Sequence, residues 1–268
     1  MAVSNRITSI LNITSMLSSF PIIISGIWVA SKPDNECIHW LRFPILFFGI
    51  SIFIISLIGF IGAHKNKQGL IAIYLIFMAF IISALILLLV LAFIVTRPSG
   101  AYVVPNRGYK EYKLDGYSSW MRKIVDSENW LKIRVCLADS EFCPDLNQMY
   151  IGADQFLIAP ISPIQSGCCK PPTSCGYQFV NPTMWISPFN MGGDPDCSVW
   201  SNDQRQLCYN CESCKAGLLG NLRYEWRKVN VAIMVAVVVL IFVYMIGCIA
   251  FKNSQNEDLF RNRKRGWA

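Results

Sequence analysis

Four stretches of the chain run on in apolar residues without one Asp, Glu, Lys, Arg or His: 9–30, 43–63, 70–95 and 229–251. A bilayer core of about 30 Å takes roughly 20 helical residues, and each stretch supplies that length. Helices satisfy their own backbone polar groups, which lipid cannot do, so the pattern predicts four transmembrane helices. The first could be mistaken for a cleaved signal peptide. Its single basic residue, Arg6, and an apolar run longer than such peptides use predict a retained span.

The remaining positions change character. Residues 117–137 alternate apolar and polar side chains at helical spacing, starting from Tyr117, Trp120, Met121, Ile124 and Val125. Leu218, Leu219, Leu222, Trp226 and Val229 also fall at helical spacing and predict a helix running straight into span four. Between these, 144–214 is rich in Pro, Gly and Cys and reads as irregular. Pro98, Gly100, Pro105 and Gly108 stop span three from continuing as helix. Within the spans, Gly49, Ser56 and Ala63 recur seven apart, a spacing that suits close helix packing. Asn12 is either an inter-helix hydrogen-bonding group or an interfacial residue.

Charge orients the pattern. The chain is 53% hydrophobic and 15% charged, with a net charge of +7. Segments 1–8, 64–69 and 252–268 carry eight Lys/Arg against two acids. The positive-inside rule therefore predicts cytoplasmic termini and a cytoplasmic 64–69 loop. It predicts a small extracellular loop at 31–42 and a large one at 96–228. The fold class expected is an all-α membrane protein: a four-helix bundle with two disulfide-rich extracellular loops, the large one mainly helical with an irregular region. Because the basic residues flank spans, anionic lipid is a better partner than nucleic acid, and Arg261, Arg263, Lys264 and Arg265 are candidate headgroup contacts.

The cysteines agree with this topology. Ten of the eleven lie on the expected outer side: Cys37, Cys136, Cys143, Cys168, Cys169, Cys175, Cys197, Cys208, Cys211 and Cys214. All ten are disulfide candidates, since bridges persist outside the cytosol. Nine in the long loop is odd, so one is expected to pair with Cys37. Neighbours Cys168 and Cys169 must reach different partners, because adjacent side chains diverge. The Cys208–Cys211–Cys214 spacing also matches metal ligands, but the oxidising side and the lack of a nearby His oppose this. No metal or cofactor is expected. Cys248, near the cytoplasmic end of span four, is a candidate for S-acylation.

Other chemistry is thin. His39 and His64 fall in different compartments, which removes His-based acid/base pairs and predicts no enzyme. Spans without charges argue against a small transporter or channel. A junction-type four-span protein would need a longer first loop. Met184, Trp185, Ile186, Phe189 and Met191 form the candidate partner-contact surface, since aromatic and Met residues favour interface cores. The only usable Asn-x-Ser/Thr triplet, Asn12-Ile13-Thr14, lies in a span, so no N-glycan is expected on the long loop.

Several motifs in the chain resemble the tetraspanin family, specifically its plant branch. They are Gly167-Cys168-Cys169-Lys170-Pro171-Pro172, the Asn-Pro-x-x-Trp at 181–185, Pro195-Asp196-Cys197 and the Cys208–Cys214 triplet. Cys37 and the short-loop/long-loop asymmetry match as well. The resemblance implies a membrane bundle capped by a mostly helical outer domain. It also implies a scaffold, at the plasma membrane or in endosomal or vesicle membranes, that organises microdomains through lipids, sterol and other membrane proteins. Homo- or hetero-oligomers and a part in plant cell differentiation or development follow from the same likeness. Span three lacks the acidic or amide group common in animal relatives, and span four has only Asn230.

Overall fold

The structure, a computed structural model, describes residues 3–31, 36–65, 68–97 and 99–265. The chain divides into two compact units, Met1–Val90 with Val231–Ala268, and Leu91–Asn230.

The first unit is helical. It contains α1 (Val3–Ser31), α2 (Glu36–His64), most of α3 (Gln68–Thr96) and the C-terminal part of the last helix, Glu212–Arg265. These four helices are long and apolar enough to cross a membrane. Large apolar side chains such as Phe47, Phe80 and Phe242 are mostly exposed. That is the arrangement expected where lipid is the solvent, because tails are as apolar as the side chains. Contacts between helices fall at small residues. A Cβ on Gly59 would lie 2.6 Å from Asn12 Oδ1 and 2.8 Å from Tyr74 Cδ2. Residues of α1, α2 and α3 therefore meet at one glycine. Asn12 is buried there, and its Nδ2 donates to the Thr8 carbonyl at 2.8 Å. Phe20 and Phe53 meet edge to face, 5.7 Å apart.

The second unit holds short elements. β1 (Ala101–Val103) pairs antiparallel with β2 (Lys110–Tyr112). Then come α4 (Ser119–Ile124), α5 (Ser127–Ala138), α6 (Pro144–Met149), α7 (Ala153–Ile158) and α8 (Pro163–Cys168). β3 (Gln178–Asn181) and β4 (Met184–Ile186) form an antiparallel hairpin with a bulge, and α9 (Glu212–Arg265) begins in this unit.

Three local expectations are revised. The helix expected over 117–137 is two helices. Ser118 caps α4 by accepting from Met121 N, and Asp126 restarts the chain as α5 by accepting from Ser127 N at 2.8 Å. A second N-cap inside an amphipathic run ends one helix and begins another. The stretch 144–214 is less irregular than expected. It carries α6, α7, α8 and the β3–β4 hairpin, with α8 opened by a Ser162/Gln165 capping box. Finally, α9 starts at Glu212, before the expected Leu218 turn, and stays helical to Arg265.

The core of this unit gathers Tyr109, Met121, Trp130, Leu146, Phe156 and Tyr209. Trp130 Nε1 donates to the Tyr209 carbonyl at 3.0 Å, so the indole is buried with its polar atom satisfied.

The bridged long loop as candidate binding site

Four bridges join described cysteines of the long loop: Cys143–Cys169, Cys168–Cys214, Cys175–Cys197 and Cys208–Cys211. The neighbours Cys168 and Cys169 thus tie the end of α8 to the first turn of α9 and to the start of α6. Cys168 and Cys214 are 46 residues apart, and closing such a ring is worth about 4 kcal/mol in the chain-entropy account. Cys208 and Cys211, with a separation of 3, gain roughly half that. Cys136 is bridged as well. Cys37 lies outside the described side chains. Cys248 is unbridged and half-buried in α9.

The glycine of the Gly-Cys-Cys motif has a packing cause. A Cβ on Gly167 would stand 2.3 Å from the Ser213 carbonyl oxygen. Only glycine lets α8 press onto the first turn of α9, which is what brings Cys168 within bonding range of Cys214. Asp196, in the Pro-Asp-Cys step, organises the same turn. It is buried, and its two carboxylate oxygens accept from Glu212 N and Ser213 N, each at 2.8 Å. A carboxylate on the free N–H groups of a helix start satisfies orphan donors and complements the helix dipole.

Lys170, next in the motif, is a finding the sequence reading did not reach. It is fully buried, and its ammonium forms an ion pair with Glu111 of β2. Strand alternation aims Glu111 inward while Lys110 points out. Thr173 N and Oγ1 donate to the same carboxylate at 3.0 and 2.6 Å, and Tyr102 OH donates at 2.9 Å. Lys170 also donates to the Pro171 carbonyl and lies 4.7 Å over the Tyr109 ring. Burial by itself would raise the Glu111 carboxyl, but the Lys170 charge and the hydrogen bonds from Lys170, Thr173 and Tyr102 hold it below its ordinary value. Burial lowers Lys170, and Glu111 raises it part of the way back. Loss of the lysine proton would leave the carboxylate buried and uncompensated, so the two charges support each other. A signal was present: a lysine between bridged cysteines and two prolines has little room to reach water. Its partner, one acid among many in the loop, carried no local mark.

The expected contact surface is divided by the fold. Trp185 is buried against Phe156 and Phe179, with ring centroids 6.2 and 5.2 Å away. Its Nε1 donates to the Pro182 carbonyl at 3.0 Å, and its backbone N and O are both held by the Asn202 side chain at 2.9 Å. It is a core residue, which takes it out of the surface. Met184 and Ile186 point the other way from β4 and are exposed, as are Met191 and Phe189. Phe189 is 93% exposed although its backbone is fixed: Phe189 N and Asn190 N both donate to the Cys175 carbonyl, at 3.1 and 3.0 Å. That carbonyl belongs to the Cys175–Cys197 bridge. Arg261, Arg263, Lys264 and Arg265 continue α9, but their side chains lie outside the described residues.

Four membrane-length helices with a loop pinned by bridges around a buried ion pair define a multi-pass membrane protein with one elaborated loop. A family model described as the Tetraspanin family matches residues 4–251. Tetraspanin-2 of Arabidopsis thaliana is 59% identical over 269 residues, covering 100% of both chains. Protein TORNADO 2 of the same plant is 45% identical over 268 residues, again covering 100% of both. Tetraspanin-8 is 38% identical, covering 96% of each. No solved structure matches. The chain belongs to the tetraspanin family, a family of non-enzymatic membrane scaffolds.

Proposed function

We propose that the chain is a scaffold that gathers partner membrane proteins and lipids into microdomains or vesicles, with its long loop as the capture surface. In this reading both termini and the 64–69 loop are cytoplasmic, and 31–42 and 96–228 face outward at the plasma membrane or into the lumen of endosomes or vesicles. The four spans bind lipids, with sterol among them, and neighbouring helices in homo- or hetero-oligomers. The C-terminal basic residues hold anionic headgroups, and Cys248 carries an acyl chain. A part in cell differentiation or development extends the plant-family likeness.

One observation carries the reading of the loop. Phe189 presents its whole ring to solvent from a backbone fixed by a disulfide and two hydrogen bonds. An exposed aromatic on a rigid base loses little entropy on binding, the property of interface anchors. Met184, Ile186 and Met191 extend the exposed apolar set.

The test is proximity labelling in native membranes with Phe189→Ala and Met191→Ala combined. Labelled partners should fall severalfold while the disulfide map stays unchanged. An unchanged partner set would refute this surface, and loss of the disulfide map would assign the residues to folding instead.

A further inference from the structure

The long loop contains a cavity of about 210 Å³ whose lining includes Arg107, Tyr109, Pro171, Pro172, Tyr177 and Trp185. We propose that this cavity binds a carboxylate carried on a flat aromatic group, with Arg107 as the residue that holds the carboxylate.

Arg107 is positioned by its neighbours on both sides. Residues 104–107 form a tight turn closed by Arg107 N donating to the Val104 carbonyl at 3.3 Å. Asn106 within it has φ +59°, a left-handed conformation that asparagine tolerates better than most residues. On the other side, Gly108 N donates to the Leu157 carbonyl at 2.9 Å. A Cβ on Gly108 would stand 1.8 Å from the Ile158 carbonyl oxygen, so the close approach requires glycine. The arginine therefore leaves from a backbone set before any ligand arrives.

Its chemistry is incomplete as it stands. The Nε–H is buried and has no acceptor. A buried donor without a partner costs free energy until something accepts from it. A carboxylate answers the side of the guanidinium with two oxygens, the fork geometry arginine favours. Among the described lining residues Arg107 carries the only full charge, so no carboxylate of the wall competes for it. The Lys170 ammonium, which lies over the Tyr109 ring, is already neutralised by Glu111.

The other walls present mainly rings: the Tyr109 hydroxyl already meets Arg107 and Thr173, and Thr173 Oγ1 donates to Glu111. Trp185 Nε1 is spent on the Pro182 carbonyl and Tyr177 OH on the Cys197 carbonyl, both at 3.0 Å, which leaves their rings for contact. Burial pushes the Tyr109 phenol up to about 12, so it stays neutral beside the guanidinium. Two proline rings, Thr173 and Gly176 complete the wall. The volume is below the roughly 300–1,000 Å³ of drug-sized sites, so the occupant is one aromatic ring with a short acidic arm. That chemistry has two sources, a free aryl carboxylic acid or the C-terminal aromatic residue of another protein.

The experiment uses the full-length protein in lipid nanodiscs, with 3-phenylpropionate and N-acetylphenylalanine as probes, each beside its carboxamide. Binding is read by saturation-transfer NMR and calorimetry. Each acid should bind at least tenfold tighter than its amide. Arg107→Gln should erase that preference, while Lys113→Gln leaves it unchanged. Tighter binding of 3-phenylpropionate assigns a free acid, and tighter binding of N-acetylphenylalanine assigns a chain terminus. No binding of either acid up to roughly 10 mM, or equal binding of acid and amide, overturns the proposal. The acid-to-amide comparison on the unaltered protein decides the matter even if Arg107→Gln does not fold.

Discussion

Lys170 gives up its hydration for a place between the two disulfide-bonded cysteines and two prolines, and Glu111 is what makes that tolerable. Removing one member of a buried pair strands the other, at a cost of about 3–5 kcal/mol. Glu111→Gln should therefore lower the unfolding midpoint of the purified protein sharply, and Lys170→Met should do the same. The double variant Glu111→Leu with Lys170→Met should recover part of the loss, because it strands no charge, and fall short of full recovery because Thr173 N, Thr173 Oγ1 and Tyr102 OH lose their acceptor. The pair also fixes an acid limit. The folded Glu111 pKa lies below its unfolded value, so its contribution is complete above about 4.3 and is lost as pH falls through the lower folded value. Unfolding followed from pH 6 downward should show this loss in the native protein and not in the double variant. Little of this was legible in advance. The motif drew attention to 167–172, but Glu111 is joined to Lys170 across 59 positions and leaves no periodic trace. Trp185 misled in the opposite way: its residue type fits an interface, and only the Asn202 clamp and the Phe156–Phe179 cluster reveal it as core.

At the level of elements, legibility followed length. Spans of twenty or more apolar residues announce themselves, because lipid allows no alternative to a helix. Strands of three residues such as β1 and β4 cannot show alternation, and six-residue helices such as α6 and α7 barely complete a turn and a half. Their order comes from bridges and caps, and the caps are testable. Asp196→Ala frees the first N–H groups of α9 and should cost about 1–2 kcal/mol. Hydrogen exchange should quicken at Glu212 and Ser213 and stay unchanged in the middle of α5. Exchange rates unaltered at α9 would show that the Cys168–Cys214 bridge alone holds that turn. In the bundle the decisive element contact is Gly59 against Asn12 and Tyr74. Gly59→Leu overfills it and should destabilise by about 1–3 kcal/mol or more. Pairing it with Asn12→Ala should restore part of the midpoint in detergent-solubilised protein, since that change vacates the space a new side chain needs.

For the whole molecule, two independent patterns agree: cysteines cluster where the charge rule puts the outside. That arithmetic also makes the last prediction. Cys143, Cys168, Cys169, Cys175, Cys197, Cys208, Cys211 and Cys214 are bonded among themselves. Cys136 is bridged, and Cys248 is in no disulfide. Cys37 lies outside the described side chains, and from the odd count of nine cysteines in 96–228 we propose it as the partner of Cys136. Such a bond would close a ring of about a hundred residues, worth roughly 4–5 kcal/mol if unstrained. Cys37→Ser should then expose one new thiol, at Cys136, to a membrane-impermeant maleimide added to intact cells. Peptide mapping without reduction should recover the 37 and 136 peptides joined in the unaltered protein. Alkylation of Cys37 before reduction would sink the pairing. Labelling of Cys136 only after the membrane is opened would leave the bond standing and reverse the proposed orientation, so the same reagent decides connectivity and sidedness separately.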